Sequence, residues 1–173
     1  MKKVILFVIA LLFVSAHATF AQPEAGDVEI QIAGTYLTSV GTDFDFSQGT
    51  IQGKLGRYIT DNLEIGVAPT ITITTTDAGF GDSDIDVTLG GSAFAQFAFL
   101  LGDATTVPYI GAQYFKSDFS VSEDKGSAGI TGGMKFFVTE KAAFDFSGNY
   151  LFDLNEGSEG GLLLFVAGIS FLF

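Results

Sequence analysis

Apolar and polar residues alternate every second position over most of this chain. The cleanest case is Phe144, Phe146, Gly148, Tyr150 and Phe152, which interleave with Asp145, Ser147, Asn149 and Asp153. Extended backbone points successive side chains to opposite sides. This segment therefore reads as a strand with one aromatic and one polar face, Leu151 excepted. Val28, Ile30, Ile32 and Tyr36 oppose Glu29, Gln31 and Thr35 in the same way. Leu63, Ile65, Val67, Ile71 and Ile73 oppose Glu64, Gly66, Thr70, Thr72 and Thr74. Between Ile85 and Leu101, Val87, Leu89, Phe97 and Phe99 stand against Asp86, Thr88, Ser92 and Gln96. Ala128, Ile130, Met134, Phe136 and Val138 oppose Gly129, Thr131, Gly133 and Lys135. Gly161 to Phe173 puts Leu163, Phe165, Ala167, Ile169, Phe171 and Phe173 on one side. Such a segment, at ~3.3 Å per residue, is about 40 Å long and spans the hydrocarbon of a bilayer at ~45° tilt. Thr50–Ile59 and Val107–Phe119 complete the set, with apolar residues on both sides and no assignable face.

Eight strands result, and the connections between them alternate in character. Thr60 to Asn62, Gly102 to Thr106 and Thr139 to Lys141 are short; Val40 to Gly49, Asp77 to Gly81, Ser117 to Gly126 and Asn155 to Gly160 are Gly/Ser/Asp-rich loops. Short turns at one end and longer loops at the other, with both termini at the turn end, are the order of an antiparallel up-and-down barrel in the outer membrane. Pro69 falls inside the third strand and removes a ladder donor, so a bulge or local break is expected there.

The first residues stand outside this pattern. Lys2 and Lys3 precede an unbroken apolar run from Val4 to Val14, then small residues up to Ala21. That is the layout of a secretory signal peptide, with cleavage expected after Ala21, or alternatively after the Ala16-His17-Ala18 stretch. The run is too short for a membrane-spanning helix, which needs ~20 residues. The leader holds two of the eight basic residues, none of the twenty acidic ones, and the one histidine, His17. The remaining chain, 22–173, has six basic against twenty acidic residues, a net of −14, and no His, Cys or Trp. Such acidity argues against a nucleic-acid partner, which is held by Lys and Arg. Without cysteine, neither a disulfide framework nor a lipid-anchor cysteine is expected. The chain is nonetheless hydrophobic, with a mean hydropathy of +0.42. Abundant apolar content interrupted every second residue suits strands that face lipid.

On these residues the chain resembles the small outer-membrane β-barrel proteins of the OmpA/OmpX type. The likeness extends as a pattern over residues 22–173. Gly168, Phe171 and the terminal Phe173 look like the assembly signal read in that group, although Val166 stands where a polar residue is usual. The resemblance implies an all-β, antiparallel up-and-down transmembrane barrel of eight strands in the bacterial outer membrane. It implies outer-membrane lipid and lipopolysaccharide as surroundings, the barrel-assembly machinery as a partner during insertion, and a monomer. The faces then have a definite sense: apolar side chains meet lipid and polar ones line the lumen. Tyr58, Tyr109, Phe136, Phe171 and Phe173 lie near strand ends, where membrane girdles place aromatics.

With that sense, Glu29, Lys54, Glu64, Asp86, Lys135 and Asp145 form a candidate polar network in the lumen. An eight-stranded barrel is only wide enough for side chains to fill it, so a static plug is favoured over a gated ion path. Asp82, Asp84 and Asp86 share one side of a strand, but a solvated acidic loop is the simpler reading than a calcium site. Gly90-Gly91, Gly132-Gly133 and Gly160-Gly161 lack the Lys and helix of a phosphate loop and mark bends or close approach instead. With no histidine after residue 21, the usual base for activating a serine is missing. No cofactor, metal or catalytic residue is expected. The expected role is a non-enzymatic barrel for structure or surface interaction; the alternatives are a narrow porin-like channel and a soluble lipocalin-like carrier.

Overall fold

The computed structural model describes residues 22–38, 45–77, 83–101, 105–155 and 161–173. Within them, β1 (Val28–Thr38), β2 (Asp45–Tyr58), β3 (Leu63–Asp77), β4 (Ser83–Ala98), β5 (Thr106–Lys116), β6 (Ser127–Phe137), β7 (Ala142–Asp153) and β8 (Gly161–Leu172) form a closed barrel. Every strand is antiparallel to its chain neighbour, and β1 closes on β8. All eight expected strands are present, in the expected up-and-down order. The expected leader lies outside the described residues.

A circuit perpendicular to the strands fixes the barrel's shape. From Ile30 it passes through Leu55, Val67, Ala93, Tyr114, Ala128 and Phe152 to Gly161. Gly161 is six residues from Ala167, which faces Gly34, so by that register the circuit comes back displaced by ten residues. With ordinary strand spacings, that shear gives a tilt of about 40° and a backbone radius of about 8 Å.

The alternation has the membrane sense. Ile32 is 64% exposed and Phe165 73%, whereas Glu29 and Glu64, on the opposite faces, are 0% and 1% exposed. The two unassigned strands now have faces. In β2, Ile51 and Leu55 point out and Lys54, Gly56 and Tyr58 point in; in β5, Ile110 and Tyr114 point out and Val107 and Tyr109 point in. Two of the expected girdle aromatics are therefore elsewhere: Tyr58 and Tyr109 are buried in the lumen. Their positions are taken at the turn end by exposed Phe97, Phe99, Phe171 and Phe173, and at the loop end by Tyr36, Tyr114, Tyr150 and Phe152. Edge-to-face contacts join Phe97 to Phe99 and Tyr150 to Phe152, at 5.4 and 4.6 Å.

Three boundaries differ from the sequence reading. β2 starts at Asp45, so residues 45–49, expected in a loop, pair with residues 73–77 of β3. Their polar, Gly-containing sequence hides this, because backbone pairing to the Thr-rich end of β3 sets the strand there. β4 ends at Ala98 and β5 at Lys116, earlier than expected. At Pro69 the expected break takes a mild form. Pairing between β2 and β3 passes from Gln52–Thr70 to Leu55–Val67 with the register kept, while Pro69 still faces Gly91 on β4. The ladder lapses on the side where proline has no N–H to offer, and no bulge is needed.

Candidate functional site

The lumen is layered along its axis. At the turn end, Tyr58, Ala98, Val107, Phe137, Ala143 and Leu172 pack into an apolar floor, with Val107 fully buried. Each is an inward position close to a short turn or to the chain end, where the strands have just left the interface.

Charges lie on that floor. Lys54 on β2 donates from Nζ to Glu29 Oε1 at 3.1 Å, Glu64 Oε2 at 2.9 Å and Gln96 Oε1 at 3.0 Å. Lys135 on β6 pairs with Glu29 Oε2 and donates to Glu64 Oε2 at 3.3 Å and to the Tyr58 hydroxyl at 2.9 Å. Tyr58 in turn donates to Glu29 at 3.1 Å. The two lysines and two glutamates thus form a closed ring of four ion pairs, all four side chains nearly devoid of solvent contact. Rings complete the cage: Lys54 stands 4.8 Å from the Phe94 centroid, and Lys135 5.4 Å from that of Tyr109. Asp145 lies across from Lys135 on β7 and accepts from the Tyr109 hydroxyl at 2.7 Å. Glu64 Oε1 and Asp145 Oδ2 are buried acceptors with no protein partner.

Bare backbone makes room for these groups. A Cβ on Gly56 would collide with the Glu64 carboxyl, and one on Gly133 would lie 2.6 Å from the ring and hydroxyl of Tyr109. Two inward glycines therefore act as sockets for a charge and a ring.

Beyond the charges, towards the loops, the lumen is hollow. A cavity of 240 Å³ is lined by Gln48, Thr50, Gln52, Thr70, Thr72, Thr88, Gln113 and Asn149 on its polar side, and by Leu151, Leu162, Leu164 and Val166 on the other. Short hydrogen-bonding side chains span the wall locally: Thr50 to Thr72 at 3.1 Å, and Gln113 to Asn149 at 3.0 Å. They do not reach across it. Lys54, Gln96 and Tyr109 mark its lower end.

The connection 117–126 starts at the rim of this cup, where Ser117 lines the cavity and the Phe119 N–H bonds to the Leu89 carbonyl on β4 at 2.9 Å. Asn155 anchors it, donating to Asp124 Oδ1 at 2.9 Å and accepting from the Lys125 backbone at 2.8 Å. Asp124 is held below the usual carboxylate value by that side-chain bond and by the Gly126 N–H; Asp118 is held below it by its bonds to Ser120.

Five of the six residues singled out for the lumen, Glu29, Lys54, Glu64, Lys135 and Asp145, meet in this one layer. Asp86 does not: it sits near the loop end of β4, opposite Thr74, and is exposed. Asp82 lies outside the described residues, and among those described no cluster suits a metal ion. Gly168 faces inward against Ala33, while Phe171 and Phe173 face outward. The Phe173 backbone pairs with Val28. Sequence reasoning missed Tyr58, Tyr109, Gln96 and the two socket glycines. Tyr58, Gly56 and Tyr109 lie on the two strands with no assignable face, whereas Gln96 and Gly133 stood on polar faces but carry no charge that marks them as members of the network.

A closed antiparallel barrel, apolar outside and charged within, is a transmembrane β-barrel. The chain matches the outer membrane protein beta-barrel domain family over residues 6–171 and belongs to it. It is an outer-membrane protein. Among solved structures it is similar to a de novo designed transmembrane β-barrel (11% identity, TM-score 0.53, covering 88% of this chain and 99% of that one). It is also similar to the N-terminal β-barrel domain of OprF from Pseudomonas aeruginosa (21%, TM-score 0.49, 86% and 98%). A third similar structure is OprG from the same organism (14%, TM-score 0.48, 88% and 99%). No curated protein sequence matches. The outward apolar faces leave no place for a soluble lipocalin-like carrier, which needs those faces inside.

Proposed function

We propose that this protein is a non-enzymatic outer-membrane barrel with a closed lumen, acting through its membrane-embedded wall and its loop-end surface. One observation carries the reading. The apolar floor and the ring of Lys54, Lys135, Glu29 and Glu64 fill the turn-end half of the lumen, with Val107 and Glu29 at 0% exposure. An ion crossing here would have to part doubly bridged lysines inside a narrow barrel, where unpaired charge costs several kcal/mol. Residues 22–173 also contain no histidine or cysteine that could serve as base or nucleophile. The surroundings that follow are lipid and lipopolysaccharide around the apolar band. The assembly machinery would read Gly168, Phe171 and Phe173, and the barrel would act as a monomer. Planar-bilayer recording of the refolded protein tests this. Electrical silence is expected, with folding checked by heat-dependent gel mobility. Reproducible unitary steps that change in Glu64→Ala would replace the closed lumen with a narrow channel.

A further inference from the structure

The seam between β1 and β8 is not closed along its length. β1 runs to Thr38 and β8 starts at Gly161, yet their pairing ends where Gly34 faces Ala167. The register, continued, would set Thr35 against Val166 and Tyr36 against Phe165; neither pair forms. Both segments remain strands because each keeps its other neighbour. Thr35 faces Thr50 and Tyr36 faces Gly49 on β2, while Val166 faces Ser147 and Phe165 faces Gly148 on β7. Two strand edges therefore part in the loop-end half, just beyond the small residues Ala33, Gly34, Ala167 and Gly168. The β4–β5 pairing also stops early, but there β5 itself ends and the Phe119 N–H bonds to Leu89 in its place.

The chemistry of β8 changes at the same point. Elsewhere the upper lumen is lined mainly by Thr, Gln, Ser and Asn, but the inward positions of β8 are Leu162, Leu164 and Val166. Leu162 points inward and is still 53% exposed. Apolar surface thus runs from the outward Leu163 and Phe165 around the strand edge into the cup. The inner cavity and a 940 Å³ groove on the outer wall share Gly34, Thr35, Ser147, Leu162, Leu164 and Val166. The unpaired edges open onto the polar cup, the setting in which unpaired backbone is tolerated at membrane depth.

We propose that this gap is a lateral port through which one acyl chain of a surrounding lipid enters the cup and lies along Leu162, Leu164 and Val166. A slim apolar chain matches that wall; its source is the membrane because the wall is continuous with the lipid-facing side. The port does not depend on whether the floor conducts, so conductance and the following test can fail separately.

The chain has no tryptophan, so single tryptophans report without background. Leu164→Trp places one inside the port, Phe165→Trp one at the same depth facing lipid, and Thr72→Trp one on the far inner wall. Each is refolded into phosphatidylcholine vesicles with plain or acyl-brominated lipid, and quenching is compared. Leu164→Trp is expected to be quenched nearly as much as Phe165→Trp and several-fold more than Thr72→Trp. Quenching no greater than that of Thr72→Trp overturns the proposal; should Leu164→Trp not fold, Val166→Trp takes its place. A cysteine pair gives a second readout. Ile32→Cys with Ile169→Cys, across the paired seam, should oxidise readily, and Thr35→Cys with Val166→Cys should not. Equal oxidation of the two pairs also overturns the port.

Discussion

The two halves of the lumen are made by the same eight strands with the same alternation, yet one half is solid and the other hollow. The barrel's radius cannot account for this, since one shear governs the whole circuit. The difference lies in side-chain reach. Around the floor the inward positions carry Tyr58, Tyr109, Phe137, Lys54, Lys135 and Glu29, groups long enough to meet at the axis. Gly133 gives Tyr109 its space, and Gly56 gives space to the Glu64 carboxyl beside them. Around the cup the inward positions are largely Thr, Ser, Gln and Asn, which bond to the adjacent strand, as Thr50 does to Thr72, or to the next but one, as Gln113 does to Asn149, and stop short. A narrow barrel is thus plugged or hollowed by the residues it points inward, strand by strand.

The largest test of this contrast is charge removal in the solid half. Lys135→Ala leaves Glu29 and Glu64 short of a cation and should cost about 3–5 kcal/mol in urea titration of vesicle-embedded protein. Lys135→Met combined with Glu29→Gln should recover most of that loss, since it removes one cation with one carboxylate and leaves Lys54 paired to Glu64. If the double variant is as unstable as Lys135→Ala, the ring is not what holds the floor.

Next comes apolar packing against hollow wall. Phe137→Ala, which opens a cavity in the floor, should cost about 3 kcal/mol. Thr72→Ala, which removes one half-exposed bond in the cup, should cost less than about 1 kcal/mol by the same titration. Equal losses would mean that the cup is as tightly packed as the floor.

The smallest effect belongs to the loop above the cup. Asp124 and Asp118 titrate below their usual value of 3.8, so the ordered loop gains stability above that value and loses it as pH falls through the depressed ones. Asn155→Ala should move the Asp124 midpoint up towards 3.8, read by NMR titration. It should also raise protease cleavage within 117–126 at neutral pH while leaving barrel stability unchanged. A midpoint that does not move would mean that Asn155 does not anchor the loop.

The lipid-facing half of this design was legible in the sequence because lipid tolerates only apolar side chains, and they repeat with period two. The lumen was legible for its charges: Glu29, Glu64, Lys135 and Asp145 fall on polar faces, and Lys54 was placed with them by its charge alone. Which of them meet was not, since that depends on register across six strands. Asp86 looked equivalent to the others by alternation, and only its height on β4 separates it. Tyr58 and Tyr109 misled for a physical reason: a tyrosine near a strand end suits an interface or a buried carboxylate equally well. The apolar inward positions of early β8 stand in the sequence as Leu162, Leu164 and Val166, but without the parted seam nothing set them apart from the Gly168 and Ser170 that follow on the same side.

The ion ring has a consequence for timing. Glu29 and Lys135 are 106 residues apart, on β1 and β6. A sheet that holds β6 but has yet to receive β1 presents an ammonium lacking one of its two glutamates, and hydrocarbon penalises such a group by ~2.5 kcal/mol or more. Partly zipped forms are therefore disfavoured within the bilayer, and the last strand to arrive finds its electrostatic reward waiting. Chain closure and charge neutralisation therefore coincide in this molecule.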